Sequence, residues 1–363
     1  MGNQATEDIR SKQFSELFTQ LAEQKLFNGN ISILENGEVF YEASLGIANY
    51  QTGELLNKDT VFELASVSKA FTAMAIMILQ EQGKLDYQTP IEEYFPNLPY
   101  KNITIQNLLS HSSGLPDYME LFEKHWDHSK IAVNKDIVTL LEIHHPPALF
   151  EPNESCEYSN TAYALLALIV EEVSGVPYAE FMEKEIFMKL DMKRTKVHNR
   201  RLTGETIPNF AYGHFYDHDK NQYVFPDELE ALHFVFYLDG IQGDGVVTST
   251  LDDMKKWDRA LYTDQLVSKA TIEKAFSAIV KPKDESFAYG NGWRVKEGEA
   301  TGKLVYHGGS WPGYRNWFSR YIEQDKTIIY FTNVERSRAF TESMLETIEN
   351  ILYGRPYTIP KEE

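Results

Sequence analysis

Apolar residues recur three and four positions apart in several stretches of this chain, and this spacing places them on one face of an α-helix. Gly83 ends the second of these stretches, and Gly175 with Pro177 separates the third from the fourth. The pattern predicts helices over residues 6–26, about 66–82, 160–174, 177–189, 250–262 and near 338–352.

Short runs rich in β-branched and aromatic residues predict strands, mostly near the two ends of the chain. Asn36-Gly37 stands between the first two runs, and this dipeptide suits the tight turn of a β-hairpin. Residues 86–155 are rich in turns around short helical pieces, and residues 200–245 show no clear periodicity. The predicted strands cover residues 31–33, 39–47, 289–295, 303–307, 314–322 and 326–333.

Strands at both ends of the chain therefore enclose a helical middle. We predict an α+β fold in which residues 1–85 and 245–363 form one domain, containing the sheet and the N- and C-terminal helices. Residues 86–244 are predicted to be a mostly α-helical insertion. The cleft between two such parts is the expected place for a functional site.

Composition and charge narrow the kinds of partner. With 363 residues, 42% of them hydrophobic, the chain can bury a substantial core. Its longest apolar run, from Ala162 to Val170, is far shorter than the roughly 20 residues that span a bilayer. A net charge of −19 without a cluster of basic residues argues against nucleic acid as a partner. We expect a small-molecule substrate, and the oligomeric state is left open.

No metal or other cofactor is predicted. Cys156 is the only cysteine, which excludes an intrachain disulfide and any metal site with several cysteines. Histidines in residues 125–128 and 214–218 have loosely metal-like spacing but lack a third ligand in register. Residues 1–26 lack the apolar segment of a secretory signal. We expect a cytoplasmic protein as the sequence stands, and an extracytoplasmic one if a signal peptide has been removed.

Ser66-Val67-Ser68-Lys69 marks the start of the second predicted helix. Residues three apart share a helix face, so the Ser66 hydroxyl and the Lys69 side chain can meet. A serine becomes a nucleophile when a neighbour takes its proton, and a lysine within an apolar helix can do so. Ser-x-x-Lys also arises by chance in a chain of this length, and the alternative is a capping serine beside a solvated lysine.

Tyr158-Ser159-Asn160 precedes the third predicted helix. A phenol beside a lysine can exchange protons with it, and an amide such as Asn160 can orient a substrate. The pattern Tyr-x-Asn also occurs at Tyr100 and Tyr289. For this motif alone, an interface aromatic residue is therefore the simpler explanation.

His307-Gly308-Gly309-Ser310 follows a predicted strand. Glycines let a backbone approach an acyl group closely, and an exposed N–H there could complete an oxyanion hole. The alternative is an ordinary hairpin turn. Nearby aromatic residues are expected either to pack in the core or to line an apolar acyl pocket, namely Trp311, Tyr314 and Trp317.

Taken together and in this order, the three motifs resemble those of the serine β-lactamase and penicillin-binding-protein superfamily. Within that superfamily, the match looks like the branch of class C β-lactamases, D-aminopeptidases and esterases. The resemblance runs from about residue 25 to residue 335 and implies a β-lactamase/transpeptidase-like antiparallel sheet flanked by helices, with an all-α insertion. Other stretches that fit it are residues 108–115, 243–252, 289–293 and 313–314.

The resemblance implies a role for each motif. Ser66 would be the nucleophile that becomes acylated, and Lys69 and Tyr158 would transfer protons. The oxyanion hole would consist of the backbone N–H groups of Ser66 and Ser310. The substrate would be bound by Asn160, His307, Gly308 and Gly309.

One departure from the family's pattern affects the expected substrate. Many β-lactamases and transpeptidases have Lys-Thr-Gly where this chain has His307-Gly308-Gly309, and they hold the substrate carboxylate there. A largely neutral histidine and a glycine would weaken this grip. We therefore predict a metal-independent serine hydrolase that forms an acyl-enzyme with a small ester or amide, and we expect it to prefer esters. The alternatives are a β-lactamase or D-Ala-D-Ala carboxypeptidase, and a penicillin-binding sensor that does not turn over.

Overall fold

The computed structural model of this chain describes residues 2–283, 285–298 and 301–362. The fold is α+β, as predicted. Its helices, numbered in chain order, are α1 Gly2–Glu23, α2 Ser68–Glu81, α3 Ile105–Leu109, α4 Tyr118–His125, α5 Asn134–His144, α6 Asn160–Ser174, α7 Tyr178–Met182, α8 Arg200–Thr203, α9 Phe234–Tyr237, α10 Leu251–Ala260, α11 Lys269–Ala275 and α12 Arg338–Leu352. Its strands are β1 Gly29–Glu35, β2 Glu38–Leu45, β3 Ile47–Asn49, β4 Glu54–Leu55, β5 Phe62–Glu63, β6 Lys196–Val197, β7 Phe215–Asp217, β8 Gln222–Val224, β9 Val247–Ser249, β10 Ala288–Tyr289, β11 Arg294–Gly298, β12 Gly302–Trp311, β13 Tyr314–Tyr321 and β14 Lys326–Thr332.

A seven-stranded antiparallel sheet joins the two ends of the chain, with strand order β10-β11-β12-β13-β14-β1-β2. Side chains alternate along each strand, so β14 directs Ile328 and Tyr330 to one face and Ile329 and Phe331 to the other. The first face packs against the apolar sides of α1 and α12. The second face packs against a larger core that includes α2 and α10.

Most of the predicted elements are confirmed. Asn36 and Gly37 turn β1 into β2 with φ values of 53° and 80°, the left-handed conformations that a tight hairpin turn needs. The prediction of one strand over 289–295 is wrong. These residues belong to the hairpin of β10 and β11, and Gly292 turns the backbone between them with a φ of 80°. Residues 200–245, which lack periodicity, contain the short elements α8, β7, β8 and α9.

Helix α6 organises the region predicted as an insertion. All of its residues from Thr161 to Val170 are buried, and it packs against α2 as well as α3, α5 and α7. The same core continues into the sheet, and β6 pairs with β9 across the predicted boundary. We propose that the two predicted parts, 1–85 with 245–363 and 86–244, are regions around one shared core with the site between them.

Taken singly, none of the described helices is both long and apolar enough to cross a bilayer. Residues 160–174 and 178–187 meet that test only as a pair, and the two segments are bent by 78° relative to each other.

Candidate active site

The Ser-x-x-Lys motif lies where a short 3-10 turn, Ala65–Val67, leads into α2. Ala65 has a φ of 50°, which is unfavourable for residues other than glycine and is often found at functional sites. This turn leaves Ser66 partly exposed at the start of the helix, while Lys69 is fully buried one turn later. The local fold therefore leaves Ser66 accessible to solvent and places the buried side chain of Lys69 beside it.

The Lys69 amine has three hydrogen-bond partners. Its Nζ lies 2.7 Å from the carbonyl oxygen of Asp244, 2.9 Å from Oδ1 of Asn160 and 3.2 Å from Oγ of Ser66. The first two partners are carbonyl oxygens, which only accept, so they take two N–H groups of the amine. The third position, which faces Ser66, holds a proton in the ammonium form and a lone pair in the neutral form. A neutral Lys69 is thus oriented to accept the proton of Ser66.

The backbone that brings the Asp244 carbonyl to Lys69 is strained. Gly243 and Val246 have positive φ values of 98° and 64°, and the left-handed conformation is rare for a β-branched residue such as Val246. The Asp244 carboxyl accepts a hydrogen bond from the Tyr118 hydroxyl at 2.8 Å. Burial raises the pKa of Asp244, while the nearby charge of Lys69 opposes that rise. No role for Asp244 or Tyr118 was predicted from the sequence, although Gly243-Asp244-Gly245 belongs to the resemblance.

Tyr158 lies beside Lys69, with the Lys69 Nζ 4.8 Å from the centroid of the Tyr158 ring. The ring is 38% exposed and lines the same cavity as Ser66. Among the described residues, no hydrogen bond joins the Tyr158 hydroxyl to Ser66 or Lys69. The face of the Tyr158 ring, and not its hydroxyl, is therefore the part that lies against the Lys69 amine.

His111 packs against Tyr158 and helps to position it. The two ring centroids are 4.5 Å apart, and Nδ1 of His111 accepts a hydrogen bond of 3.0 Å from the backbone N–H of Ser159. Burial, together with the charge of Lys69, holds the pKa of His111 well below its usual value, so the ring is neutral and able to accept. No such contact of His111 was predicted from the sequence, although residues 108–115 fit the resemblance.

Strand β12 approaches Ser66 with a part that is not paired with β11. Pairing of β11 with β12 stops at Arg294 opposite Tyr306, so residues 307–311 leave this edge free to face the turn at Ser66. A Cβ on Gly309 would lie 2.2 Å from the carbonyl oxygen of Leu64. Only a glycine permits so close an approach. Ser310 follows at an exposed position on the same strand.

The His307 ring is placed differently from the sequence-based expectation. It is fully buried, and Nδ1 lies 2.7 Å from the carbonyl oxygen of Gly308, so Nδ1 carries the proton. Nε2 then accepts from the Tyr289 hydroxyl at 2.7 Å. Burial and the charge of Arg294 hold the pKa of His307 well below its usual value. Burial disfavours the imidazolium form, and the ring lines neither cavity at Ser66.

Two cavities meet at Ser66 and Asn160. The first, of about 180 Å³, is lined by apolar side chains that include Met119, Leu238 and Ile241, and by the carboxyl groups of Glu63 and Asp244. Trp311 also lines this cavity, as the acyl-pocket expectation suggested. The second cavity, of about 420 Å³, is lined by Tyr158, residues 308–310 and three arginines, Arg294, Arg315 and Arg338. Glu285 and Glu342 line the second cavity as well, so Ser66 lies between a mainly apolar cavity and one lined by charged side chains of both signs.

Glu63 provides a test of the electrostatics of the first cavity. Burial raises its pKa from an ordinary 4.5 to about 7, although Arg201 opposes the rise. Between pH 4.5 and 7 the folded protein thus binds a proton at Glu63 that the unfolded chain does not. The contribution of Glu63 to the free energy of unfolding therefore falls as the pH rises through this window.

We predict that Glu63→Gln, which keeps the shape but cannot ionise, removes this loss. Relative to the wild type, its free energy of unfolding should rise by about 2–3 kcal/mol between pH 4.5 and pH 8. Urea unfolding at both pH values measures the difference. Parallel pH profiles of the two proteins would show that Glu63 is not held protonated.

The remaining candidates from the sequence are the single cysteine and the histidines with metal-like spacing. Cys156 is buried, which raises its pKa to about 11 and makes it a poor nucleophile. Within the described part of the chain, no cluster of three or more His, Cys, Asp or Glu side chains is arranged to hold a metal ion.

This chain is similar in sequence and in fold to known proteins. The Beta-lactamase family matches residues 14–351 of this chain. Penicillin-binding protein 4* of Bacillus subtilis (strain 168) is 44% identical over 352 residues, which cover 97% of this chain and 78% of that protein. The crystal structure of a penicillin binding protein from Bacillus halodurans superposes with a TM-score of 0.79 at 27% identity, over 91% of this chain and 98% of that one.

A further solved structure supports the fold alone. The D-amino acid amidase from Ochrobactrum anthropi SV3, complexed with L-phenylalanine amide, superposes with a TM-score of 0.76 at 24% identity. The superposition covers 93% of this chain and 96% of the amidase.

Proposed function

The chain belongs to the beta-lactamase family, within the superfamily of serine acyl hydrolases and penicillin-binding proteins, and on that premise we propose that it hydrolyses a small amide or ester through an acyl-enzyme on Ser66. The observation that carries the proposal is the arrangement of the Lys69 amine. Two of its positions are occupied by oxygens that only accept, and the third faces Ser66 Oγ at 3.2 Å. This arrangement supports the proposal, because a serine nucleophile needs a general base within hydrogen-bond reach.

In the proposed acylation, neutral Lys69 takes the proton of Ser66 while Oγ bonds to the substrate carbonyl carbon. The negative charge that develops on the carbonyl oxygen is stabilised by the backbone N–H groups of Ser66 and Ser310. The carbon–heteroatom bond then breaks, and the leaving nitrogen or oxygen receives the proton by way of Lys69 and Tyr158. Asn160 holds the amine in place and lines both cavities.

In the proposed deacylation, a water molecule replaces the leaving group. Its oxygen bonds to the ester carbon, its proton passes to the Lys69 and Tyr158 pair, and the bond to Ser66 Oγ breaks. Ser66 regains its proton and the acid product leaves. One feature of a known relative supports an amide-like substrate class for this cycle: the name of the Bacillus subtilis relative refers to penicillin, a cyclic amide.

We predict that a fluorescent penicillin labels Ser66 stoichiometrically and that Ser66→Ala abolishes the label. Intact-protein mass spectrometry, followed by peptide mapping, identifies the modified residue. Ser68→Ala is the matched control, because the Ser68 hydroxyl accepts from the Val247 N–H instead of facing a cavity. This variant should still be labelled.

Two results would change the proposal. Equal labelling of the wild type and Ser66→Ala would contradict the assignment of the nucleophile. A burst of product equal to the protein concentration, with no steady state afterwards, would identify a sensor that acylates without turnover.

A further inference from the structure

Glu63 places a carboxyl group at the smaller cavity beside Ser66, three residues before the serine. Two contacts fix its backbone: Glu63 pairs with Thr248 of β9, and its carbonyl oxygen accepts from Nδ2 of Asn316 at 2.7 Å. Phe62 packs in the core, so the alternation of side chains along β5 directs Glu63 the other way, to the cavity. The carboxyl group is therefore held in a fixed position relative to the nucleophile.

This carboxyl group has no partner within the protein. Among the residues that the structure describes, none donates a hydrogen bond to it or brings a charged nitrogen within 4.0 Å of its oxygens. Arg201 influences its pKa, but the guanidinium of Arg201 is already paired with Asp227 and with Asp239. Glu63 is thus a partly buried acid whose hydrogen-bonding capacity is unused.

The rest of this cavity favours a cation over an anion. Its other charged residue is Asp244, and its lining, which lies wholly within the described part of the chain, contains no lysine, arginine or histidine. Asp244 is already engaged, because its carboxyl group accepts from the Tyr118 hydroxyl and its carbonyl oxygen accepts from Lys69. The other walls are mainly apolar, and such surroundings strengthen the attraction between opposite charges. A cationic group in this cavity would therefore be drawn to Glu63.

We propose that Glu63 binds an ammonium group on the acyl part of the substrate and thereby selects aminoacyl amides and esters. The inference rests on the proposed acyl-enzyme at Ser66. A primary ammonium has three N–H groups, and the two carboxylate oxygens of Glu63 accept from them. The cavity of about 180 Å³ has room for a short acyl chain and not for a large one.

Protonation of Glu63 gives the inference a signature in pH. Burial raises the pKa of this carboxyl to about 7, against the opposing charge of Arg201. The carboxylate present above that pH attracts an ammonium group, and the neutral carboxyl present below it does not. The kcat/KM of an amine substrate, relative to that of its uncharged isostere, should therefore fall as the pH falls through about 7.

Other charged or titratable groups surround Glu63, and a variant that keeps them all isolates its own contribution. Glu63→Gln is that variant, because it removes only the ionisable carboxyl. The surrounding groups belong to α8, to the loops on both sides of α9, to the Lys69-binding loop and to β13, and they are Arg200, Arg201, Asp227, Asp239, Asp244 and the Tyr314 hydroxyl.

The test uses pairs of p-nitroanilides that differ only in the amine. D- and L-alanine p-nitroanilide are compared with isobutyryl p-nitroanilide, and β-alanine p-nitroanilide with butyryl p-nitroanilide, so that a methyl group replaces the ammonium in each pair. The kcat/KM values are measured for the wild type, Glu63→Gln, Glu63→Asp and Glu120→Gln. Glu120→Gln is the matched control, because it removes the same charge from an exposed side chain that follows the cavity residue Met119. Thermal unfolding of each variant checks that the fold is retained.

We expect the wild type at pH 7.5 to prefer at least one amine over its isostere by at least 10-fold. Glu63→Gln should lower this preference by about 10–100-fold, the range of a charged hydrogen bond. Glu63→Asp should keep part of it, and Glu120→Gln should change it by less than about 3-fold. An unchanged preference in Glu63→Gln would overturn the proposal, as would a wild type that prefers the uncharged member of every pair.

The β-alanine pair tests the pH signature, because an amine remote from the carbonyl stays protonated well above neutral pH. Between pH 8 and pH 6 the preference of the wild type for β-alanine p-nitroanilide should fall, whereas that of Glu63→Gln should stay constant. The same fall in both proteins would contradict the inference, since another group would then be responsible.

A binding experiment separates this inference from the proposed function. In the Ser66→Ala background, calorimetry measures the affinities for both members of each pair, with and without Glu63→Gln. Weaker binding of an amine alone in Glu63→Gln, by about 10-fold or more, supports the inference even if the wild type proves not to be acylated. Equal affinities within every pair in Ser66→Ala would contradict it whatever the kinetics show.

Discussion

Replacing Lys69 by alanine is expected to slow the acylation of Ser66 by about 10²–10⁴-fold, the contribution typical of a general base. The reason is geometric: Lys69 is the group that faces Ser66 Oγ, at 3.2 Å, and its other two positions are held by Asn160 and the Asp244 carbonyl. The loss should appear in the chemical step and leave the KM of the substrate nearly unchanged. Single-turnover kinetics with a chromogenic substrate measures both quantities.

Two further variants distinguish three possible roles of Lys69: a general base, a positive charge alone, and a structural side chain. Lys69→Met keeps an apolar stem of similar length in this fully buried position, so it should fold and still be slow. Lys69→Arg keeps a positive charge but does not release a proton at neutral pH, so it cannot serve as a base. A Lys69→Arg enzyme with near-normal turnover would show that Lys69 acts only through its charge. A raised KM with normal turnover in Lys69→Met would identify a substrate clamp.

The sequence predicts the parts of the site that depend on local spacing. Ser66 and Lys69 are one helical turn apart, so the start of an apolar helix is sufficient to bring them together. Asn160 is the first residue of α6, and its motif could be assigned only through its order between the other two. The Asn36-Gly37 hairpin, the α+β class and the closing helix are likewise local signals, and the structure confirms them.

What the sequence did not predict depends on contacts between distant segments. The burial of His307 follows from its pairing with Tyr289, and that contact exists because β10 and β11 form a hairpin where one strand was expected. The same hairpin brings Arg294 to the cavity of Ser66. The contact of the Asp244 carbonyl with Lys69 spans 175 positions and requires a strained backbone at Val246. No periodicity or motif spacing encodes such contacts.

The two cavities beside Ser66 differ in polarity, and this difference would orient a substrate in the proposed site. The smaller cavity is lined mainly by apolar side chains, whereas the larger one is lined by charged side chains of both signs, with Ser66 between them. A substrate with an apolar end and a polar end would therefore bind in one orientation, with its carbonyl at the serine. The position of strand β12 is then important, because the two cavities fix where the substrate carbonyl oxygen lies. The backbone N–H of Ser310 must be within hydrogen-bond distance of that oxygen.

Gly309→Ala is accordingly expected to lower kcat by about 10²–10³-fold, the loss typical for one donor of an oxyanion hole. An alanine Cβ at this position would lie 2.2 Å from the carbonyl oxygen of Leu64, whereas an ordinary contact needs about 3.4 Å. Both atoms belong to backbone or are fixed to it, so the strand and the turn at Ser66 must move apart by about an ångström. That displacement separates the two N–H groups, of Ser66 and Ser310, that are proposed to hold one oxygen.

Gly308→Ala is the matched control for this displacement. It adds the same methyl group to the adjacent residue, but its Cβ points to the opposite face and meets the side chain of Trp317 at 2.8 Å. A side chain can shift where the backbone of the nucleophile turn cannot, so we expect a loss of less than about 10-fold. Labelling of Ser66 by a phosphonate probe, which also develops charge on oxygen, should fall in parallel with kcat for Gly309→Ala. Equal losses in the two variants would mean that the glycines serve the packing of β12 and not the approach of its backbone to the serine.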